Sequence, residues 1–254
     1  MGDIQAKHQL TVGVDENTIG FSYRDPDSGE LVGFEADLAR EIGRAMFGSD
    51  APVRLVTLTT PEKIPLVENA KVDMTISVVS ISCPRWAHVD FSTPYYSAFQ
   101  ELMVRNDSKI ASQADLPGKR VCVTAGSSSE SFLQTFVPDA RRRPVETRTE
   151  CLTRLQEGKV DAIVLPSSIM AGLARQDPTM RVLANVVDNT GNPAANIYGI
   201  AVKKSSGHEF ARYLNGLLER WRADGTLDRL QAENLEHGFT IDLRKPAPAP
   251  SYRD

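Results

Sequence analysis

The sequence lacks any apolar run approaching the 18 residues that a membrane-spanning helix needs, so no transmembrane segment is expected. It lacks an excess of positive charge. Lys and Arg total 29 against 33 Asp and Glu, a net charge of −4, whereas a nucleic-acid binder needs a basic face. It lacks a Cys-x-x-Cys pair, and His8, His88, His208 and His237 are scattered, so neither a metal site nor a cofactor is expected. Gly-x-Ser-x-Gly is absent, and no Gly-Lys-Ser/Thr closes a phosphate-binding loop. Cysteines number only 3. Cys122 falls in a predicted strand and Cys151 near the start of a predicted helix, 29 residues apart. Spacing alone leaves a disulfide and two buried thiols equally open, with Cys83 left over to pair outside this chain.

What is present is ordinary for a globular chain. Of 254 residues, 41% are apolar and 24% charged, and a chain of this length buries about 70–75% of its unfolded surface. The length fits one large domain or two small ones. Met1-Gly2-Asp3 reads as a start placed where a leader or lipid anchor has been removed.

Val12-Gly13-Val14 predicts a strand. Phe34, Leu38, Ile42 and Met46 recur every fourth residue and predict an amphipathic helix over 34–47. A strand over 52–58 follows. Thr60-Pro61 then opens a helix ending near Ala70, with Thr60 as cap, and 72–79 is a further strand. Such alternation predicts a parallel sheet with both faces covered. The second half repeats the scheme: strand 121–123, helix 127–137, a weak strand at Val145, helix 149–157 and strand 160–165. Residues 66–73 can be laid over 154–161, which suggests two lobes of like topology. Residues 101–104 read as a crossing segment, 198–202 as a return strand, and 207–223 and 226–235 as helices. Two crossings make a hinge, and the cleft between hinged lobes is a common ligand site. The expected division is lobe 1 at 1–98 and 195–240, lobe 2 at 99–194, and a Pro-rich tail at 241–254.

Two constellations carry chemistry. Ser80-Ile81-Ser82-Cys83-Pro84-Arg85 follows a strand, with Ser82 placed to cap the turn that holds Arg85. A guanidinium at a strand end can grip a carboxylate through two parallel hydrogen bonds. In the other lobe Thr124-Ala125-Gly126-Ser127-Ser128-Ser129-Glu130 also follows a strand. There Gly126 permits the turn, Ser127 and Glu130 form a capping box, and the free amides suit an anion. A carboxylate held by Arg85 on one side and by residues 126–128 on the other would couple binding to closure.

Gly33-Phe34-Glu35-Ala36-Asp37-Leu38, Ser80-Ile81-Ser82 with Arg85, Asp90-Phe91-Ser92, Pro94-Tyr95-Tyr96, Gly118-Lys119-Arg120-Val121 and Tyr198-Gly199-Ile200-Ala201 occur in that order. The set resembles bacterial extracellular solute-binding protein family 3, the polar amino-acid receptors of ABC importers, over about residues 10–238. Cys122, Cys151 and the Pro-rich tail are similar to those of actinobacterial glutamine/glutamate-binding lipoproteins, which implies a Cys122–Cys151 disulfide. The resemblance implies an α/β, two-lobed periplasmic-binding-protein-like (type II, venus-flytrap) fold with two crossing hinge strands. It further implies no catalysis, a small carboxylate-bearing ligand, an ABC permease or membrane sensor as partner, a monomer, and a lipid-anchored extracytoplasmic location. By position, Arg85 and Ser128 would hold the ligand carboxylate, and Ser80 with the Val78 carbonyl would accept from its ammonium.

The departures from the pattern are as informative. The ammonium-binding Asp of the family falls at Pro166, and Ser167 or Ser168 nearby supplies no charge. The positions of ligand-stacking aromatics are Thr18 and Thr60, and Ser77 stands where binders of acidic side chains carry a cation. Asp15, Glu16 and Glu101 remain to compensate. The ammonium half of the site is thus altered, and the ligand is expected to be atypical or to lack a free ammonium. An enzyme on this fold would need a placed acid or base at 164–167, and none is there. A sensing or degenerate receptor is the remaining alternative, favoured by Pro166, Thr18 and Thr60.

Overall fold

In a computed structural model, residues 2–49, 52–205 and 208–235 are described. The Pro-rich tail lies outside the described residues. The first part runs α1 (Gly2–Lys7), β1 (Leu10–Val14), a small meander of β2 (Asn17–Thr18), β3 (Ser22–Arg24) and β4 (Leu31–Val32), then α2 (Phe34–Phe47), β5 (Val53–Thr57), α3 (Lys63–Glu68), β6 (Met74–Thr75), α4 (Cys83–Trp86) and β7 (Val89–Phe91). The long β8 (Tyr96–Arg105) leads to β9 (Arg120–Thr124), α5 (Ser128–Phe136), β10 (Arg141–Val145), α6 (Arg148–Gln156), β11 (Ala162–Pro166), α7 (Ser167–Gln176) and β12 (Met180–Asn185). The chain returns through β13 (Ala195–Tyr198) to β14 (Ala201–Lys203), α8 (Glu209–Ala223) and α9 (Thr226–Asn234).

Two mixed sheets result, ordered β5-β1-β6-β14-β7 and β10-β9-β11-β8-β12. The two orders correspond strand for strand, so the lobes do share a topology. Only the βα units are parallel (β1 with β5 and β6, β9 with β10 and β11); β14, β7, β8 and β12 pair antiparallel, so neither sheet is the all-parallel one expected. The crossings force this, because β8 enters the second sheet and β14 the first from the hinge rather than from a helix.

The internal repeat is physical. Ala70 and Gly158 both adopt positive φ after their helices, at 54° and 66°. Three residues on, Asp73 Oδ2 accepts from the Thr11 amide at 2.8 Å, and Asp161 Oδ2 accepts from the Arg120 amide at 2.7 Å. In both lobes a Lys-Val-Asp turn pins the start of one strand to the start of its parallel neighbour.

β8 and β13 form the hinge, with Tyr96 opposite Tyr198 and Phe99 opposite Ala195. The predicted crossing at 101–104 is the lobe-2 half of β8, and the predicted return strand breaks at Gly199-Ile200 into β13 and β14. A Cβ at Gly199 would meet the Ile81 side chain at 2.8 Å, which is why glycine occupies the break. The predicted strand over 72–79 shrinks to β6, because Val78 turns to φ 43° where a strand would continue. Thr59, not Thr60, caps the turn before α3, sharing a capping box with Glu62. The helix over 34–47 is matched to the residue. Cys122 and Cys151 are disulfide-bonded with Cα atoms 5.6 Å apart, tying β9 to α6, and Cys83 is free and exposed.

Candidate functional site

The loops after β6 and β9 and the first turn of α6 meet at the seam between the lobes. Arg85, on the short α4, spans it. Its Nη1 donates to the Ser80 carbonyl and its Nη2 to the Gly126 carbonyl in the other lobe, each at 2.9 Å. Burial lowers its pKa from the ordinary arginine value. Ser82 occupies the cap position of α4 but makes no side-chain capping bond. Gly126 holds φ 67°, the left-handed turn that brings its carbonyl to Arg85, and its amide donates to Glu130 at 2.7 Å. Ser127 Oγ accepts from the Glu130 amide as expected, but the Glu130 carboxylate takes the Gly126 amide instead of closing a box on Ser127. The N-terminal turn of α5 therefore begins at Ser128, beside Ser80.

Ser80 Oγ lies 3.2 Å from both Ser128 Oγ and Asn196 Oδ1, with one proton to donate to either. Gln100 Nε2 donates to the same two acceptors, and Ser129 Oγ donates to Gln100 Oε1 at 2.8 Å. This polar knot joins both lobes and both hinge strands. Behind it, Tyr96 and Tyr198 stack with ring centroids 6.1 Å apart, and Tyr198 hydroxyl shares a hydrogen bond with Ser168 Oγ at 2.8 Å.

A second set of charges sits deeper. Arg148, the first residue of α6, is 2% exposed and reaches across to Asp15, with Nη1 at 3.2 Å from Oδ2. Asp15 also accepts from the Asn17 amide and from Thr18 Oγ1. Glu35 is buried, accepting from the Val78 amide at 2.6 Å and from the Tyr95 hydroxyl. Burial pushes the Glu35 carboxyl up, against those two bonds and the nearby Arg148 and Lys63. Buried Lys63 is pushed well below its ordinary range, by desolvation first and then by Arg148. Arg148 Nε and Nη1, Glu35 Oε2, Ser77 Oγ and Asn196 Nδ2 make no hydrogen bond. A cavity of about 220 Å³ opens here, lined by Asp15, Thr60 and Glu62 from one lobe and Glu146, Thr147 and Arg148 from the other.

The sequence-expected residues come together only in part. Arg85, Ser80, Gly126, Ser127 and Ser128 gather at the seam, and Asp15, Thr18 and Thr60 lie at the cavity or beside it. Val78 and Ser77 are buried in the turn over Glu35. Pro166 is buried at the end of β11, opposite Gln100. Glu101 is half-buried on β8, opposite Leu165 and Asn185, and Glu16 pairs with Arg24 at 3.0 Å. Arg148, Lys63, Glu35, Gln100 and Asn196 were not anticipated. Arg148 had a signal: it lies at the start of the helix after the second strand of its lobe, where Thr60 stands in the other.

The family model for bacterial extracellular solute-binding proteins, family 3, matches residues 10–237. The chain is 30% identical over 229 residues to the ABC transporter glutamine-binding protein of Bacillus subtilis, covering 89% of this chain and 81% of that one. It is likewise 30% identical over 234 residues to the glutamate-binding protein of Corynebacterium glutamicum, covering 89% and 78%. A mutant arginine-binding protein from T. maritima superposes with a TM-score of 0.83 at 28% identity, covering 92% of this chain and 97% of that one. These relatives are binding proteins rather than enzymes, and no described helix is long and apolar enough to cross a membrane. The two-lobed chain with its crossing strands belongs to the bacterial extracellular solute-binding proteins, family 3.

Proposed function

We propose that this protein is an extracytoplasmic, lipid-anchored receptor. It closes as a monomer around a small carboxylate-bearing ligand, amino-acid-like but atypical, and presents it to an ABC importer. The observation that carries this reading is Arg85, whose guanidinium lies between Ser80 and Gly126 on opposite sides of the seam. A carboxylate entering there replaces two separate neutral acceptors by one opposite charge that the guanidinium fork can hold through two parallel hydrogen bonds. The Ser128 hydroxyl and the start of α5 supply the opposing grip. The lobe boundaries belonging to this reading are 98/99 and 194/195, drawn near the hinge, where β8 and β13 pair from Tyr96–Tyr198 to Phe99–Ala195.

Pro166 supports the atypical part. It brings no charge to the end of β11, where a ligand ammonium would need a carboxylate. A desolvated ammonium without one costs on the order of 2–5 kcal/mol, or roughly 30- to several-thousandfold in affinity. A second reading, a sensor or a receptor that no longer closes, draws on the same Pro166 together with Thr18 and Thr60.

Calorimetry against a carboxylate panel, with solution scattering, tests both. Arg85→Ala is expected to weaken binding at least a hundredfold by leaving a buried ligand carboxylate unpaired, and Arg85→Lys to weaken it substantially by losing the fork. Unchanged affinity in Arg85→Ala would misplace the site. Binding without compaction would favour the second reading.

A further inference from the structure

We propose that Arg148 is a specificity residue that holds a second acidic group of the ligand, so that the cleft takes a compact guest of net negative charge. An acidic amino acid or a short dicarboxylate fits this description; a neutral zwitterion does not. The inference rests on the reading of Arg85 as the holder of the first carboxylate.

Three observations lead there. First, Arg148 is 2% exposed, and its Nε and Nη1 make no hydrogen bond. A guanidinium has five donors, and buried donors without acceptors are costly, so Asp15 at 3.2 Å is an incomplete partner. Second, the charges here do not balance. Burial drives Lys63 and Glu35 toward their neutral forms, and the Arg85 and Arg148 guanidiniums then stand against Asp15 alone, an excess of one positive charge. Both carboxylates are already engaged, Asp15 by the Asn17 amide and Thr18, Glu35 by the Val78 amide and Tyr95. A zwitterion would satisfy Arg85 and add an ammonium that no free carboxylate meets. A guest of charge −1 neutralises the set. Third, Arg148 lines the interlobe cavity of about 220 Å³, a volume that suits a compact guest. Glu62 and Glu146 at the cavity rim are exposed and Glu16 is half-exposed; these charges are hydrated and screened, and do not offset the buried excess.

The test is calorimetry on the whole chain with L-glutamate, glutarate and L-glutamine as probes. The wild type is expected to bind glutamate and glutarate at least tenfold more tightly than glutamine. Arg148→Gln should abolish that ratio, and Arg148→Lys should keep part of it. Asp15→Asn retains an acceptor for the Asn17 amide but removes the charge competing for Arg148, so it should tighten glutarate binding. A purely structural latch between Arg148 and Asp15 predicts the opposite, because breaking it weakens closure on every guest. Preference of the wild type for glutamine overturns the inference. So does an equal loss for all three probes in Arg148→Gln, weaker glutarate binding in Asp15→Asn, or no binding of any probe. If Arg85→Ala leaves all three affinities unchanged while Arg148→Gln still alters the ratio, the reading of Arg85 fails and that of Arg148 survives.

Discussion

Glu101 lies on β8 between Leu165 and Asn185, and burial raises its pKa to about 7 from an ordinary 4.5. The charged form is the one that burial disfavours. The folded protein therefore binds the proton more tightly than the unfolded chain. The stabilising share is complete below pH 4.5, fades as pH rises toward 7, and is gone above it. Glu101→Gln removes this dependence without changing shape. Its melting temperature should equal that of the wild type near pH 4.5 and exceed it at pH 8, by about 2–4 °C per kcal/mol recovered. Parallel melting curves at both pH values would show that Glu101 titrates normally. The residue scale also separates the arginines. Arg85 was legible because it follows a strand by a few residues, at the edge where α/β sheets bind ligands. Arg148 follows the run Arg141-Arg142-Arg143, whose first and last members are exposed, and it was not singled out. Its burial depends on the other lobe, which no local pattern encodes.

At the scale of elements, the disulfide joins β9 to α6, the helix that begins with Arg148. Closing a loop of 29 residues restricts the unfolded chain by about 3.6 kcal/mol in the chain-entropy account. The paired variant Cys122→Ala/Cys151→Ala should lose stability of that order, which denaturant unfolding would register as a lower midpoint, with an m-value no smaller than the wild type's because the freed unfolded chain is less compact. A loss under about 1 kcal/mol would mean that packing alone fixes α6 on β9. Helices α2, α5 and α6 were legible to within a residue or two, because their apolar spacing and capping residues act locally. The strand over 72–79 was not, because its continuation is decided by Glu35, distant in sequence, which draws the Val78 amide into a left-handed turn. A β-branched residue there is strained, and the compensating bond is invisible to any pattern of neighbours. Similarly, strand-helix alternation predicted the parallel βα units but not the antiparallel strands beside them, because pairing with the crossing strands β8 and β14 is a long-range event.

For the whole molecule, the closed arrangement depends on how closely the lobes approach away from the charged groups. α7 and the β2–β3 turn meet at Gly172, where a Cβ would stand 3.2 Å from Ile19 Cβ and 3.5 Å from its carbonyl oxygen. Gly172 lies within a helix and is buried, so its lack of a side chain serves that approach rather than any backbone turn. Gly172→Leu improves helix propensity by roughly 0.5–1 kcal/mol, so each lobe should fold at least as well. The added isobutyl group cannot fit against Ile19, and the seam should be wedged apart. Arg85 then loses the Gly126 carbonyl, and Arg148 loses Asp15, together. The expected outcome is a variant that melts cooperatively, keeps a larger radius of gyration in saturating ligand, and binds at least tenfold more weakly, with the loss shared by every guest. That common loss distinguishes a wedge from the selective loss expected of Arg148→Gln. A leucine variant that still compacts like the wild type would mean that the α7 contact yields, and that the polar knot around Gln100 sets the distance between the lobes by itself.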